Sequence, residues 1–353
     1  MSVAAVGLIL IGKLVAERRF RDTGLESAFN TVASQVISAI PQTQLRESSS
    51  FPEPDQGEAL QLLSIHTKLG AAQLEILSTG LISLLDWFLT QATKPRVSVV
   101  SYLNTVPLVW GMLHGEQRDL FDLSFAIPAE CADRLESGLA DIGIVPAVEL
   151  NRQKLEIIRG AGIACHGPVR SIFLISKVPY AQIRKLATDS TSRTSVALSR
   201  VILARKYGVQ PQVQSHAPHL PSMLENADAA LIIGDAALVL DPADLPFHVL
   251  DLGAEWVQMT GLPMVFAVWA ARAELPAQDP GPFLQSMRFG RAHIDDIARS
   301  EHLKVGVSED LARSYLRDNI VFELGDREYA GLKTFLQYAS ELRSPVEGRK
   351  VTA

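Results

Sequence analysis

From Arg96 onward the chain repeats one texture. Short, mostly apolar runs (Val97–Val100, Ile142–Val145, Ile172–Ile175, Leu231–Ile233 and Val265–Trp269) are separated in several places by segments with helical spacing. Runs of this kind suit strands covered on both faces, and helices between them supply the cover. The pattern predicts an α/β body with mainly parallel sheets flanked by helices. At 353 residues the chain exceeds what one core comfortably serves, so two lobes or domains are expected. In such sheets ligands bind beyond the carboxyl ends of the strands. Polar residues gather at those ends: Ser101 and Asn104 after the first run, Asp189–Ser195 before a helix, and Gly234-Asp235 after another run. One central cleft is predicted.

The stretch Asp189-Ser190-Thr191-Ser192-Arg193-Thr194-Ser195 puts five hydroxyls around one guanidinium where a strand hands over to a helix. Behind it Ala197, Leu198, Val201 and Ile202 recur at helical spacing, Arg200, Arg205 and Lys206 face water, and Gly208 is a stop signal. At a helix start the first N–H groups lack partners and the dipole is positive. A carboxylate or phosphate would be held there by backbone, hydroxyls and Arg193 together. A lone Ser or Thr in this position is usually a cap, but five hydroxyls exceed what a cap needs.

Ser101-Tyr102-Leu103-Asn104-Thr105-Val106-Pro107 closes a strand into a turn, with Pro107 in the opening turn of the next helix. A carboxamide at Asn104 can orient a hydroxyl or carboxylate and is a poor base; the competing role is a local turn hydrogen bond. Ser171, ahead of the run from Ile172, is a binding hydroxyl rather than a nucleophile, since no triad pattern accompanies it. His166 reads as an ordinary loop histidine, and the proline-broken pair His216 and His219 as structural or exposed. Asp235 either lines the cleft or caps the following helix, and the cleft is favoured.

Other function classes are disfavoured. The net charge is -6 with Lys and Arg evenly scattered, which argues against a nucleic-acid surface. Two cysteines, Cys131 and Cys165, make neither a disulfide framework nor a zinc site, and suit a reducing cytoplasm. No Walker loop, dinucleotide fingerprint or metal-ligand cluster occurs, so chemistry without a cofactor or metal is expected. Val3–Gly12 is apolar but too short to span a bilayer and follows no basic region, so neither a signal peptide nor stable membrane insertion is expected. An amphipathic helical pattern then runs to about Ala39 and is read as packing on protein. Pro41–Gly57 reads as a linker and Glu58–Thr90 as further helix.

Taken together, Ser101–Leu108, Gly167–Val169, Asp189–Leu198, Ile233–Leu238 and Asp251–Gly253 through Trp256 and Thr260–Pro263 to Trp269 resemble the MqnA family, the chorismate dehydratases of the futalosine route to menaquinone. Several separated motifs in order, from about Arg96 to Leu342, make the resemblance specific. The sister family MqnD opens instead with a Ser-Pro-Cys-Pro-Asn type motif. The resemblance implies a periplasmic-binding-protein type II fold, two α/β lobes about a central cleft. It also implies loss of water from chorismate to give 3-[(1-carboxyvinyl)oxy]benzoate, with the substrate's enolpyruvyl carboxylate as base. Asn104 is then the catalytic residue, and Ser101, Ser171, Ser192, Arg193, Thr194 and Asp235 the substrate-binding set. An MqnD-like dihydroxynaphthoate synthase and a non-enzymatic solute-binding protein of the same fold are the alternatives.

The expected organisation is a dehydratase domain over 96–343, with a first lobe of about 96–175 plus 270–343 and a second of about 176–269. Pro282–Leu342 reads as three amphipathic helices, with Ser308-Glu309-Asp310 a helix start and Gly325-Asp326 introducing the last. Residues 344–353 are expected to be a flexible tail. Residues 1–95 lie outside the resemblance. They are either a helical N-terminal extension or sequence upstream of a non-Met start near Arg96, and the second is favoured.

Overall fold

The computed structural model describes residues 94–189 and 192–342, within one compact unit that begins at Lys94. The expectations for the N-terminal extension and the tail, and for Ser190 and Thr191, fall outside the described residues.

The chain begins with β1 (Arg96–Val100), α1 (Val106–His114), β2 (Asp122–Ala126), α2 (Pro128–Glu136), β3 (Ile142–Pro146) and β4 (Leu155–Cys165). It continues through β5 (Ile172–Ser176), β6 (Lys185–Asp189), α3 (Arg193–Tyr207), β7 (Gln212–His216), α4 (Leu220–Glu225), β8 (Ala229–Ile233), α5 (Gly234–Leu238), β9 (His248–Asp251) and α6 (Leu252–Thr260). The last part is β10 (Met264–Arg272), α7 (Gly281–Ala292), α8 (Ile294–Val305), α9 (Glu309–Ser314), β11 (Val321–Glu323) and α10 (Asp326–Glu341). Two sheets result, a six-stranded one in the order β11-β4-β10-β3-β1-β2 and a five-stranded one in the order β7-β6-β8-β5-β9.

The sheets are mixed, which corrects the expectation of mainly parallel ones. The pairs β1/β2, β1/β3, β6/β7 and β6/β8 are parallel, as helical crossovers make them. The pairs of β10 with β3 and β4, of β4 with β11, and of β5 with β8 and β9 are antiparallel. The cause is the traffic between sheets. The chain leaves the first sheet after β4 and returns along β10, so the outgoing and returning strands run opposite ways side by side. The approximate lobe limits at 175/176 and 269/270 fall inside strands: Ile172–Ser176 pairs in the second sheet and Met264–Arg272 in the first. An apolar run shows that a strand is buried without showing which sheet receives it.

In the C-terminal part four helices replace the three expected. Gly306, at φ 82, ends α8, and Ser308 caps α9 by accepting from Leu311 N. A five-residue π turn, Tyr315–Asn319, then re-aims the chain into β11. The largest fully buried side chains include Trp256, Trp269, Tyr315, Phe283 and Phe335. Trp269 meets Phe283 at 5.0 Å between ring centroids, and Trp256 meets Phe335 edge-on at 6.0 Å. The helices α7 and α1 approach so closely that a Cβ on Gly290 would stand 2.0 Å from the Pro107 carbonyl oxygen. Among the described residues no helix is long and apolar enough to cross a membrane.

Candidate active site

The turn after β1 is a single 3-10 turn, Leu103–Thr105, with Asn104 at its middle. It is held from the second sheet: the Asp235 carboxylate accepts the Leu103 N–H at 3.1 Å. Gly234, at φ 62, carries Asp235 there, and the left-handed backbone brings its Cα against the Tyr102 ring, where any Cβ would meet Tyr102 at 2.8 Å. Burial pushes the Asp235 carboxyl up to about 6 against the opposing pull of the Leu103 N–H.

Ser171 is shaped by the loop that joins the sheets. Asp251, at the N-cap of α6, accepts the N–H groups of Val169 at 3.0 Å, Arg170 at 2.7 Å and Ala254 at 3.0 Å. That clamp holds Arg170 at φ 65, an uncommon backbone state for a side-chain-bearing residue. Ser171 then faces inward and is buried, and its hydroxyl accepts the O–H of Tyr315 at 2.9 Å.

At the start of α3, Ser192 is the N-cap. Its Oγ accepts the Ser195 N–H at 3.3 Å and donates to Ser195 Oγ at 2.8 Å. Thr194 Oγ1 accepts the Val148 N–H at 3.3 Å, a contact between the two lobes, and keeps its own proton to donate.

These pieces enclose a narrow pocket of about 70 Å³ that opens to solvent. Asn104, Ser171, Ser192 and Thr194 line it, with Tyr102, Ile163, Ile233 and Phe266 among its apolar walls. Among the described residues its lining carries no Asp, Glu, His, Lys or Arg. It offers hydroxyls, a carboxamide and a helix start. Such a set has the donors to hold and orient an anion, and supplies no strong protein base.

Three of the residues singled out in the sequence are turned elsewhere. Ser101 donates its hydroxyl to the Ala126 carbonyl at 3.0 Å, securing the end of β1 to β2. Asp235 stands behind the Asn104 turn instead of lining the pocket. Arg193 is committed to two carboxylates of the first lobe: both Asp133 oxygens, at 2.8 and 2.9 Å, and Glu149 at 3.1 Å. Glu149 is only 1% exposed and also accepts Arg152 Nε at 2.7 Å and Gln153 Nε2 at 3.0 Å. A buried carboxylate demands such partners, and Arg193, expected as an anion ligand, is engaged with both of these carboxylates across the lobes in this structure. His166 meets Glu328 at 2.7 Å and His219 meets Ser222 at 3.0 Å, both away from the pocket. Burial raises Cys131 to about 11 and Cys165 to about 12, which leaves both thiols unreactive.

Sequence reasoning missed Tyr315, Asp133 and Glu149, and gave Asp251 no role. Nothing local marks the first three. Asp251 carried the signal of a helix cap before a Leu-Gly pair, and Gly253 is forced there by Cys165 Sγ, 2.7 Å from where its Cβ would stand.

The family model described as "Menaquinone biosynthesis" matches residues 95–341. The chorismate dehydratase of Thermus thermophilus is 30% identical over 257 residues, covering 67% of this chain and 92% of that protein. Among solved structures, the Archaeoglobus fulgidus protein AF1704 superposes with a TM-score of 0.58 at 17% identity, over 71% of this chain and 98% of that one. The periplasmic aliphatic sulphonate binding protein SsuA of Escherichia coli gives 0.50 at 14% identity, over 73% and 95%. The fold is thus that of the periplasmic binding proteins, two α/β lobes about a cleft, and by its match over 95–341 the chain belongs to the menaquinone biosynthesis family.

Proposed function

We propose that this protein is a chorismate dehydratase, a hydro-lyase that converts chorismate to 3-[(1-carboxyvinyl)oxy]benzoate and water in menaquinone biosynthesis. The observation that carries the reading is the uncharged pocket between the lobes, built from Asn104, Ser171, Ser192 and Thr194, in a chain 30% identical to a chorismate dehydratase. Chorismate is a dianion whose ring becomes aromatic once a ring proton and the neighbouring hydroxyl leave. Most of the driving force therefore resides in the substrate. The start of α3 is suited to one carboxylate, and Asn104 and Ser171 to the reacting edge of the ring. With no protein base in the described lining, the enolpyruvyl carboxylate takes the ring proton. The ring C–O bond then breaks, and the departing hydroxide leaves with that proton as water. Holding the groups in a reactive pose can contribute ~7–11 kcal/mol in favourable cases. Cys131 and Cys165 stand as free buried thiols, which suits a reducing compartment and a cytoplasmic location.

The test is incubation of purified protein with chorismate, following the product by chromatography and mass. The carboxyvinyl-oxy-benzoate should form, and Asn104→Ala should lower turnover at least a hundredfold while leaving the melting temperature within a few degrees. Tight binding without turnover would instead mark a solute-binding protein on this fold. Inertness toward chorismate with turnover of a futalosine-derived acid would mark an MqnD-like synthase.

A further inference from the structure

We infer that Tyr315, contributed by the C-terminal π turn, is a positioning residue that fixes Ser171 as a hydrogen-bond donor toward the substrate. The inference rests on the dehydratase reading for its kinetic consequence, and on geometry alone for its structural one. Tyr315 is fully buried and donates its O–H to Ser171 Oγ at 2.9 Å. A serine hydroxyl has one proton and two acceptor positions. With one acceptor position filled by the phenol, the Ser171 proton must point elsewhere. Its other protein contact is a long one, 3.4 Å to the Val169 carbonyl oxygen, and a ligand oxygen in the pocket that Ser171 lines displaces such a contact easily.

Burial raises Tyr315 well above the ordinary phenol range, against the opposing pull of Ser171, so it stays a neutral donor at any working pH. A π turn rather than a continuous α-helix lies where that hydroxyl has to be aimed, a usual place for such irregularities.

Tyr315→Phe keeps the ring and removes only the hydroxyl. It should lower kcat ten- to a hundredfold with KM within about threefold, since the lost order concerns orientation more than affinity. The double variant Tyr315→Phe/Ser171→Ala should be no slower than Ser171→Ala alone, because the phenol acts through Ser171. A kcat of Tyr315→Phe within twofold of the parent, or losses that multiply in the double variant, would overturn the inference. A crystal structure of Tyr315→Phe gives a readout free of chemistry: Ser171 Oγ should rotate, and an unmoved Ser171 would also overturn it. If the parent protein does not turn chorismate over, the dehydratase reading fails, and the Ser171 rotamer still decides the role of Tyr315. Should Tyr315→Phe not fold, tyrosine Cζ NMR of the parent and Ser171→Ala, which both retain Tyr315, replaces it. The Tyr315 signal must move on loss of the Ser171 hydroxyl, and an unmoved signal counts against the inference.

Discussion

Arg193 sits on the second-lobe helix that begins the candidate anion site, yet its guanidinium reaches across to Asp133 and Glu149 of the first lobe. Replacing it by Met keeps the aliphatic stem and deletes both contacts. The Glu149 contact involves a carboxylate that is 1% exposed, and a charge-assisted hydrogen bond of that kind contributes about 1.5–3 kcal/mol. The Asp133 side chain is half exposed, so that pair adds only about 0–1 kcal/mol. Arg152 and Gln153 continue to satisfy Glu149, which keeps the total near the low end, about 2–3 kcal/mol. Because the partners belong to different lobes, this energy weights the closed form. If closure precedes binding, a loss of 2–3 kcal/mol raises KM by roughly 30- to 150-fold at most, with kcat of the closed complex kept.

A substrate-binding role for Arg193 would also raise KM in this variant, so the decisive variant is Asp133→Asn. It leaves Arg193 intact and weakens its latching contact across the lobes, together with a longer 3.5 Å pair between Asp133 and Arg152 inside the first lobe. The latch reading predicts that KM rises, by a few-fold because this pair is half exposed. A direct ligand role predicts that KM stays or falls, since the guanidinium is freed for the substrate. Steady-state kinetics of Arg193→Met and Asp133→Asn, with small-angle scattering to follow lobe closure, checks this. An unchanged or lower KM in Asp133→Asn, with no opening of the lobes, would refute the argument.

Two further outcomes are expected. Gly290→Ala should be among the most damaging single methyl additions, at about 3 kcal/mol or more, because its Cβ would meet backbone of Pro107 at 2.0–2.7 Å and neither helix can yield cheaply; denaturant unfolding measures it, and a midpoint near the parent's would mean that α1 and α7 are not so closely docked. Asp235 has a folded-state pKa raised from 3.8 to about 6, so its contribution to stability is fully present below about pH 4 and is lost as pH rises through 6. Asp235→Asn, which can still accept the Leu103 N–H, should therefore equal the parent at pH 3.5 and exceed it at pH 7 by at most about 3 kcal/mol; parallel stability profiles would count against the shift.

The strands legible in the sequence are the inner ones. Val97–Val100, Ile142–Val145 and Val265–Trp269 lie side by side in the first sheet, and Ile172–Ile175 and Leu231–Ile233 in the second. Burial on both faces forces an apolar run, and a run survives reading without context. β2, β7, β9 and β11 sit at sheet edges, where Asp122, Ser124, Gln212 and Glu323 are tolerated, so no run forms. Motifs at strand ends located Asn104, Ser171, Ser192 and Thr194, because turns and helix starts have local chemistry. That chemistry does not show which way a side chain turns. Arg193 looked free because Asp133 and Glu149 are 60 and 44 residues away. Tyr315 carried no signal, since one phenol in an amphipathic stretch has no periodicity of its own and meets Ser171 only across 144 residues.

The diversion of Arg193 fits the proposed chemistry better than the expected role would have done. In a substrate-assisted elimination the enolpyruvyl carboxylate must act as a base. A guanidinium against it would lower its pKa by 1–3 units and weaken it in proportion. Neutral donors such as the Thr194 and Ser171 hydroxyls orient a carboxylate at far smaller cost to its basicity. An arginine also grips the charge that substrate and transition state share, which tightens binding without speeding the reaction. Placing the cation on an outer latch, with its charge answered by Asp133 and Glu149, lets it favour closure while the pocket stays uncharged. For the proposed chemistry, that arrangement is a physical route from holding an anion to letting the anion react with itself.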